Sequence, residues 1–414
     1  MLNFIIGRNN SGKTEKIRAL IAERASENKK CILIVPEQFS FESERSILEK
    51  IGAQKMLNVD ILSFTRLAFV INEQYGKALN KTIDDGTRKV LMSLSLEALS
   101  GKLEYFKRFS SKPALLSNLL TFVTELKQCA VTPDEIAEIS GKTGNKSLGK
   151  KLSELSLIAA TYDALVSRSF FDDENLLTIA ADMISETDFF DGKAVYFDAF
   201  CGFTKQERNC IKSILPKAEN VFISLCTNRD LSREGVSVFE NVNSEFSHLK
   251  KCAAEQNVGV SSPEILNVKE DGRSPELVYL EKYLCGEESE PYKEECDNIV
   301  VCAAGNRADE ADFVACEIKK LLRCNPTLRC RNIAVIERTA GTYDKELSES
   351  FKKYGVPMFE DKRRPIGIQP VMVFVKCLLA LCAEGFSTES FMRLLKTGLT
   401  ALSGDEISEL ENYA

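Results

Sequence analysis

The chain has no tryptophan, a single histidine and no two cysteines at C-x-x-C spacing, and each scarcity excludes a class of chemistry. The lone His248, in the helix-like stretch SEFSHLKKCAAE, reads as a surface residue, and its solitude excludes multi-histidine metal sites and Ser-His-Asp catalysis. The nearest of the 14 cysteines, Cys377 and Cys382, lie five apart in an apolar helix, so the set reads as reduced thiols rather than metal ligands. No apolar run approaches the roughly 20 residues that cross a bilayer. The start lacks the basic residues and cleavage site of a signal peptide, and Leu2–Ile6 is a strand, too short for an apolar signal core. The expectation is a cytoplasmic protein with no membrane partner. Basic excess is missing too: 54 Lys and Arg against 61 Asp and Glu leave a net charge of −7, which argues against a surface coated for duplex DNA. A local basic groove with stacking faces for a single strand stays open.

What is present is ordinary globular material, 44% hydrophobic and long enough for roughly two to three domains. Residues 1–83 alternate: LNFII, CILIVP and VDILSF read as strands, and TEKIRALIAERASEN and ESERSILEKIG as the helices between them. That alternation predicts a parallel sheet with right-handed crossovers. Over 84–190 the strands stop and apolar residues recur every three to four positions, an all-helical insertion. Strands resume over 191–284 at AVYFDAF and NVFISLC, and 285–298 (CGEESEPYKEECDN) is an acidic linker by composition. A second alternating unit occupies 299–369, with IVVCAA, NIAVIER and PMFE as its strands. From 370 the pattern is helical again and stops at DEISELENYA without a terminator, as expected of a piece of a larger domain.

Gly7-Arg8-Asn9-Asn10-Ser11-Gly12-Lys13-Thr14 satisfies G-x4-G-K-[ST] between a strand and a helix, the context this motif requires. Its glycines let backbone N–H groups close on phosphates, Lys13 supplies a charge and Thr14 a hydroxyl for Mg²⁺. Gly7, Asn10, Ser11, Gly12, Lys13 and Thr14 are therefore the expected ATP contacts. Six residues precede Gly7, too few for an adenine-gripping segment, so weak or base-indifferent binding is expected. The acid that completes such a site follows a buried strand; AVYFD makes it Asp198, the second expected Mg²⁺ contact. A hydrolase also needs a group that activates water, commonly Glu beside that Asp, and here the neighbour is Ala199. Glu207, nine residues on, is the one candidate for an unconventional catalytic acid.

The order of motifs carries a resemblance. The phosphate loop, LIVPEQFSFESE, ILSFTRLAF, the helical insertion, VYFDAFCGFTKQE, GNRADEADFVACEIKKLL and IAVIERTAGTYDKELSESFKKYGVPMFEDKRR follow one another as in the AddB (RexB) subunits of bacterial AddAB-type helicase–nucleases, over residue 1 to about 400. The resemblance implies an α/β fold: two RecA-like P-loop parallel-sheet domains with an all-helical insertion in the first and the start of a helical insertion in the second. It implies an AddA-type partner in a heterodimer, single-stranded and end-containing DNA as substrate, and scanning for a recombination hotspot. The family's nuclease domain and iron–sulfur cluster are expected only beyond Ala414. Active relatives of this superfamily carry Asp-Glu where this chain has Asp198-Ala199, Gln-Asp where it has Cys201-Gly202, and a γ-phosphate sensor where it has FISLCTN. That implies a degenerate motor that holds ATP, hydrolyses it poorly and reads DNA. The alternatives are an active ATP-driven translocase using Glu207, and a P-loop kinase with the insertion as lid, which leaves the second alternating unit unexplained.

Gln38, Ser40, Phe64, Arg66 and Phe69 fall at or just past the C-terminal ends of the second and third strands, where parallel sheets bind ligands. The phenylalanines suit base stacking, Arg66 a phosphate or guanine edge, and Gln38 and Ser40 exposed base edges. The resemblance adds Phe200 or Phe203 to this surface, and places Phe69 where relatives often carry Trp. Lys142, Lys146, Lys150, Lys151, Lys362, Arg363 and Arg364 read first as solvated faces, and Arg338 as a strand-end residue of the second unit.

Overall fold

Cys31–Ile34 (CILI) and Ala194–Phe197 (AVYF) are apolar at every position, a pattern suited to strands covered on both faces, and all eight residues are buried. They are β2 and β4 of a computed structural model that describes residues 1–414 apart from 77–82, 108–111, 170–172, 228–237, 268–272, 284–289, 361–365 and 414. The chain divides into Met1–Asn298 and Ile299–Ala414, and each unit is described by itself.

The first unit is built on a six-stranded, wholly parallel sheet of β1 (Leu2–Gly7), β2, β3 (Val59–Leu62), β4, β5 (Asn220–Cys226) and β6 (Glu264–Ile265), in the order β3-β2-β4-β5-β1-β6. This architecture is consistent with a RecA-like α/β fold. Side chains alternate across the pleat: Ile32 and Ile34 enter one core while Cys31 and Leu33 enter the other. The helices over this sheet are α1 (Lys13–Ser26), α2 (Ser40–Ile51), the short α3 (Ala53–Met56) and α4 (Phe64–Tyr75).

Four helices follow without a strand: α5 (Asp85–Ala98), α6 (Pro113–Gln128), α7 (Pro133–Lys142) and α8 (Lys146–Ser169). Met92, Leu96, Val123, Ile158 and Tyr162 form a core of their own there, separate from both sheet cores. The buried Glu154 of α8 joins that core to the chain between α5 and α6, its carboxylate accepting from the N–H groups of Glu104 (2.8 Å), Tyr105 (2.8 Å) and Phe106 (3.1 Å). The next helix, α9 (Asp173–Glu186), belongs with the insertion by its pattern, but Leu176, Ala180 and Ile184 pack into the sheet core. The unit continues with α10 (Lys205–Ile214), α11 (Glu240–Glu255) and α12 (Pro275–Tyr283). The acidic segment after α12 is tied back to it. Tyr279 donates to the Glu290 carbonyl, the Tyr279 and Tyr292 rings lie 5.0 Å apart, and Asn298 donates to the Glu276 carboxylate at 2.6 Å.

The second unit departs from expectation. Its helices α13 (Arg307–Cys324), α14 (Asp344–Tyr354), α15 (Pro370–Glu384), α16 (Thr388–Leu395) and α17 (Gly404–Tyr413) fall where the periodicity puts them. The three expected strands do not form among the described residues: 299–304, 333–338 and 356–360 run without ladder pairing, so no second parallel sheet is present there. The physical reason is that a strand exists only through a neighbour that takes up its N–H and C=O groups. Ile333 and Val356 still pack on α13 and α14, whereas Val301 (92%), Ile336 (90%) and Phe359 (90%) are exposed. Lys362, Arg363 and Arg364 lie outside the described residues.

Two of these carboxylates can be tested for their hold on the fold. Glu154→Ala leaves three N–H groups without their acceptor and lowers stability by about 3 kcal/mol, read by urea denaturation. The Glu276 carboxyl is held down to about 2, first by its own backbone N–H and then by Asn298. A depressed carboxyl stabilises the fold above its unfolded value near 4.5, and that contribution drains as pH falls towards about 2. The gap in Tm between the protein and Glu276→Gln is therefore open at about pH 6 and closes in strong acid.

Candidate functional site: the C-terminal edge of the sheet

Strand register builds the site. Leu62 pairs with Ile34, Ile34 with Phe197, Phe197 with Ile223, and Ile5 with Ser224, so the chain leaves β3, β2 and β4 side by side, and β1 on the far side of β5, at one edge. The expected nucleotide contacts and the expected base-reading residues follow these strand ends in the chain.

At the end of β1 the phosphate loop turns into α1 through Gly12, whose φ of 86° is left-handed, with Asn10 also at a positive φ of 61°. Gly7 tolerates no side chain: a Cβ there would stand 2.8 Å from Ser11 Cβ and 2.9 Å from the Leu266 carbonyl oxygen. No side chain caps α1, so its first-turn N–H groups are left for another acceptor. Ser11 is buried, with no hydrogen-bond partner for its hydroxyl. Lys13 Nζ donates to the carbonyls of Gly7 and Arg8, both at 2.8 Å, and Thr14 follows half-buried in the first turn. An uncapped helix start, an orphaned hydroxyl and an ammonium parked on its own loop fit a nucleotide's phosphates.

Asp198 lies just past β4, buried; its N–H donates to Ile34 O at 3.1 Å and its carboxylate accepts from Ser224 Oγ at 2.5 Å. Ala199 is exposed with φ 65°, a conformation that costs an L-residue roughly 1 kcal/mol or more. Its methyl can neither accept a proton nor orient water. Glu207 is engaged elsewhere, in a capping box at the start of α10: Thr204 N donates to its carboxylate at 2.7 Å and its own N–H donates to Thr204 Oγ1 at 3.2 Å.

The aromatic residues expected to stack on bases divide into two groups. Phe64 and Phe203 are buried, and their rings pack with Phe197 and Phe200 at centroid distances of 4.9–6.1 Å. Their faces serve the core of the edge rather than lying open to a base; Phe200 is half-buried on the same cluster. Phe69, one turn along α4, is 42% exposed. Arg66 is exposed, with its guanidinium 3.6 Å from Glu44, and its N–H is capped by Ser63 at 3.2 Å. Gln38 is exposed in a short turn after β2 and Ser40 half-buried at the start of α2. Sequence reasoning misses Phe39 and Phe41, the latter 78% exposed. The signal is present in EQFSFES: two phenylalanines at i and i+2 in a polar stretch cannot share one buried helix face.

Of Lys142, Lys146, Lys150 and Lys151 in the helical insertion, three have side-chain neighbours, and Lys146 is exposed at the start of α8. Lys142 bridges to Glu138 (2.5 Å), Lys150 to Glu104 (2.9 Å), and Lys151 lies 5.8 Å over the Tyr105 ring. His248 is exposed on α11. Arg338, exposed, begins a loop whose Gly341 and Tyr343 N–H groups bond the Glu337 carboxylate at 2.7 and 3.0 Å. Among the described residues no cluster of three or more His, Cys, Asp and Glu could hold a metal, and no helix is long and apolar enough to cross a membrane.

A parallel sheet with a phosphate-loop sequence at the end of one strand and a buried aspartate at the end of another is an α/β arrangement consistent with a RecA-like fold. Within that class the chain belongs to the AddB family, whose N-terminal model matches residues 4–281. It is similar to the B subunits of the ATP-dependent helicase/deoxyribonucleases of Clostridium novyi (32% identical over 99% of this chain), Clostridium tetani (31% over 100%) and Acetivibrio thermocellus (30% over 100%). The chain spans 36–37% of the length of these relatives.

Proposed function

We propose that this chain is the N-terminal, helicase-like region of the B subunit of an ATP-dependent helicase–nuclease that processes DNA double-strand ends for recombinational repair. Likeness along the whole chain to relatives named as the B subunits of such helicase/deoxyribonucleases is the observation that carries this reading. It works with an AddA-type partner on single-stranded and end-containing DNA, and its nuclease and iron–sulfur cluster belong to parts of the family outside this chain.

In this reading the region holds ATP and turns it over poorly. Gly7, Asn10, Ser11, Gly12 and Lys13 hold the phosphates through backbone N–H groups, the Ser11 hydroxyl and the Lys13 ammonium, and Thr14 and Asp198 hold Mg²⁺. The bound nucleotide–metal pair supplies charge neutralisation and no motor chemistry, because Ala199 cannot position water and Glu207 is spent on the cap of α10. An active translocase would need Glu207 to leave that cap. Single-stranded DNA crosses the C-terminal edge: Phe69 stacks on a base, Phe200 offers its half-exposed ring, and Phe64 and Phe203 form the floor beneath. Arg66 contacts phosphate or a guanine edge, and Gln38 and Ser40 contact exposed base edges, which together scan for a hotspot sequence.

Equilibrium binding of ATP·Mg tests the first half. Lys13→Ala weakens it by about tenfold or more, the scale of one lost charge-assisted hydrogen bond, while turnover of the unaltered chain stays at background with or without single-stranded DNA. DNA-stimulated turnover abolished by Lys13→Ala would reverse this reading in favour of a working motor. For the second half, Phe69→Ala lowers affinity for a single-stranded oligonucleotide by about tenfold, as loss of one stacking platform should. Arg66→Ala weakens binding and flattens its salt dependence.

A further inference from the structure

One residue of the Gly7–Thr14 loop has its side chain engaged outside the loop. The Arg8 guanidinium pairs with the Glu281 carboxylate at 2.8 Å and donates to two carbonyls in the last turn of α12, Glu281 O and, at 3.4 Å, Lys282 O. It also lies 5.7 Å over the Phe239 ring. Both partners of the ion pair are largely shielded, at 20% and 25% side-chain exposure. Arg8 thus caps the C-terminal end of α12, where a cation is favoured by the helix dipole.

The same helix carries the segment that leads out of the first unit. Tyr279 holds Glu290 and Tyr292, and Glu276 holds Asn298, whose covalent neighbour Ile299 begins the second unit. A continuous set of contacts therefore runs from the phosphate loop through Arg8 and α12 to Asn298.

We infer that Arg8 is a nucleotide-responsive latch: nucleotide phosphate competes with Glu281 and the α12 carbonyls for its guanidinium, so that binding at the loop frees the C-terminal end of α12 and loosens the 290–298 segment tied to it. This rests on the reading of the loop as an ATP site. Two features of the loop favour the exchange. Lys13 holds the carbonyls of both Gly7 and Arg8, so turning its ammonium to a phosphate releases the backbone that carries Arg8. A guanidinium also matches phosphate oxygens at least as well as a carboxylate, and a polyphosphate offers it more negative charge. Glu281 then sets nucleotide affinity without touching nucleotide, by holding a ligand back.

The test measures ATP·Mg affinity together with hydrogen exchange of 275–283 and 290–298, in the unaltered chain, Glu281→Gln, Arg8→Ala, the double variant, and Lys13→Ala. Glu281→Gln removes the competing charge and tightens binding about fivefold, and Arg8→Ala weakens it by a similar factor. In the double variant the gain from Glu281→Gln disappears, which separates a latch from simple removal of a negative charge near an anion site. ATP·Mg speeds exchange of α12 and of 290–298, and Arg8→Ala does so without nucleotide; thermal unfolding verifies that each variant is folded, with Arg8→Lys as the milder substitute. Affinity that depends on Lys13 but ignores Glu281→Gln, or a gain that survives in the Arg8→Ala background, would overturn the latch alone. An unaltered chain that binds no ATP·Mg, or one whose binding is the same in Lys13→Ala, would overturn both the nucleotide reading and the latch that rests on it.

Discussion

The alignment of strand ends across the first unit's sheet governs everything else in this protein. Parallel pairing sets Leu62, Ile34, Phe197 and Ile223 in one row. Each strand's exit therefore delivers a loop to the same edge: the phosphate loop from β1, EQFSF from β2, SFTRLAF from β3 and DAFCGF from β4. Residues more than a hundred positions apart become neighbours because parallel strands must all finish at one end. A slip of one residue in β4 would carry Asp198 away from Ser224 and Phe197 out of the ring cluster.

That edge has two halves of different character. On the β1 side the groups are backbone donors, an orphaned hydroxyl and a cation, all suited to phosphate. On the β2 and β3 side they are an exposed ring, an arginine and small polar groups, suited to bases and their backbone. Between them sits the β4 exit, where an energy-consuming relative would place its water-activating carboxylate. Here an alanine in left-handed conformation occupies that position, and the nearest glutamate caps a helix. Two candidate binding surfaces thus flank an exit whose exposed residue carries only a methyl group.

The ties beyond the edge join the Gly7–Thr14 loop to the end of the first unit. Arg8, Glu281, Tyr279, Tyr292, Glu276 and Asn298 form an unbroken set of polar and aromatic contacts through a single nine-residue helix. The latch inferred above needs two discrete arrangements, the arginine on a carboxylate or on a phosphate, because discrete alternatives are what carry a signal through packed structure. The helical insertion, by contrast, keeps its own core and is joined to the chain between α5 and α6 through the carboxylate of Glu154.

Local signals were enough for the strand–loop–helix turn at Gly7–Thr14, the alternation of the first unit, the strandless stretch after residue 84 and the helices of the second unit. They depend on residue type, period and short spacing, which a chain carries without reference to distant partners. Tertiary structure alone decided the rest. Whether IVVCAA or NIAVIER is a strand depends on a neighbour to bond with, and no spacing within the segment reports that neighbour. Phe64, Phe203 and Phe69 look alike in a list of residues; pleat and helix phase bury two of them and expose the third. Glu207 reads as a spare acid until Thr204 claims it, and Arg8 reads as a loop filler until α12, some 270 residues later in the chain, folds back to meet it.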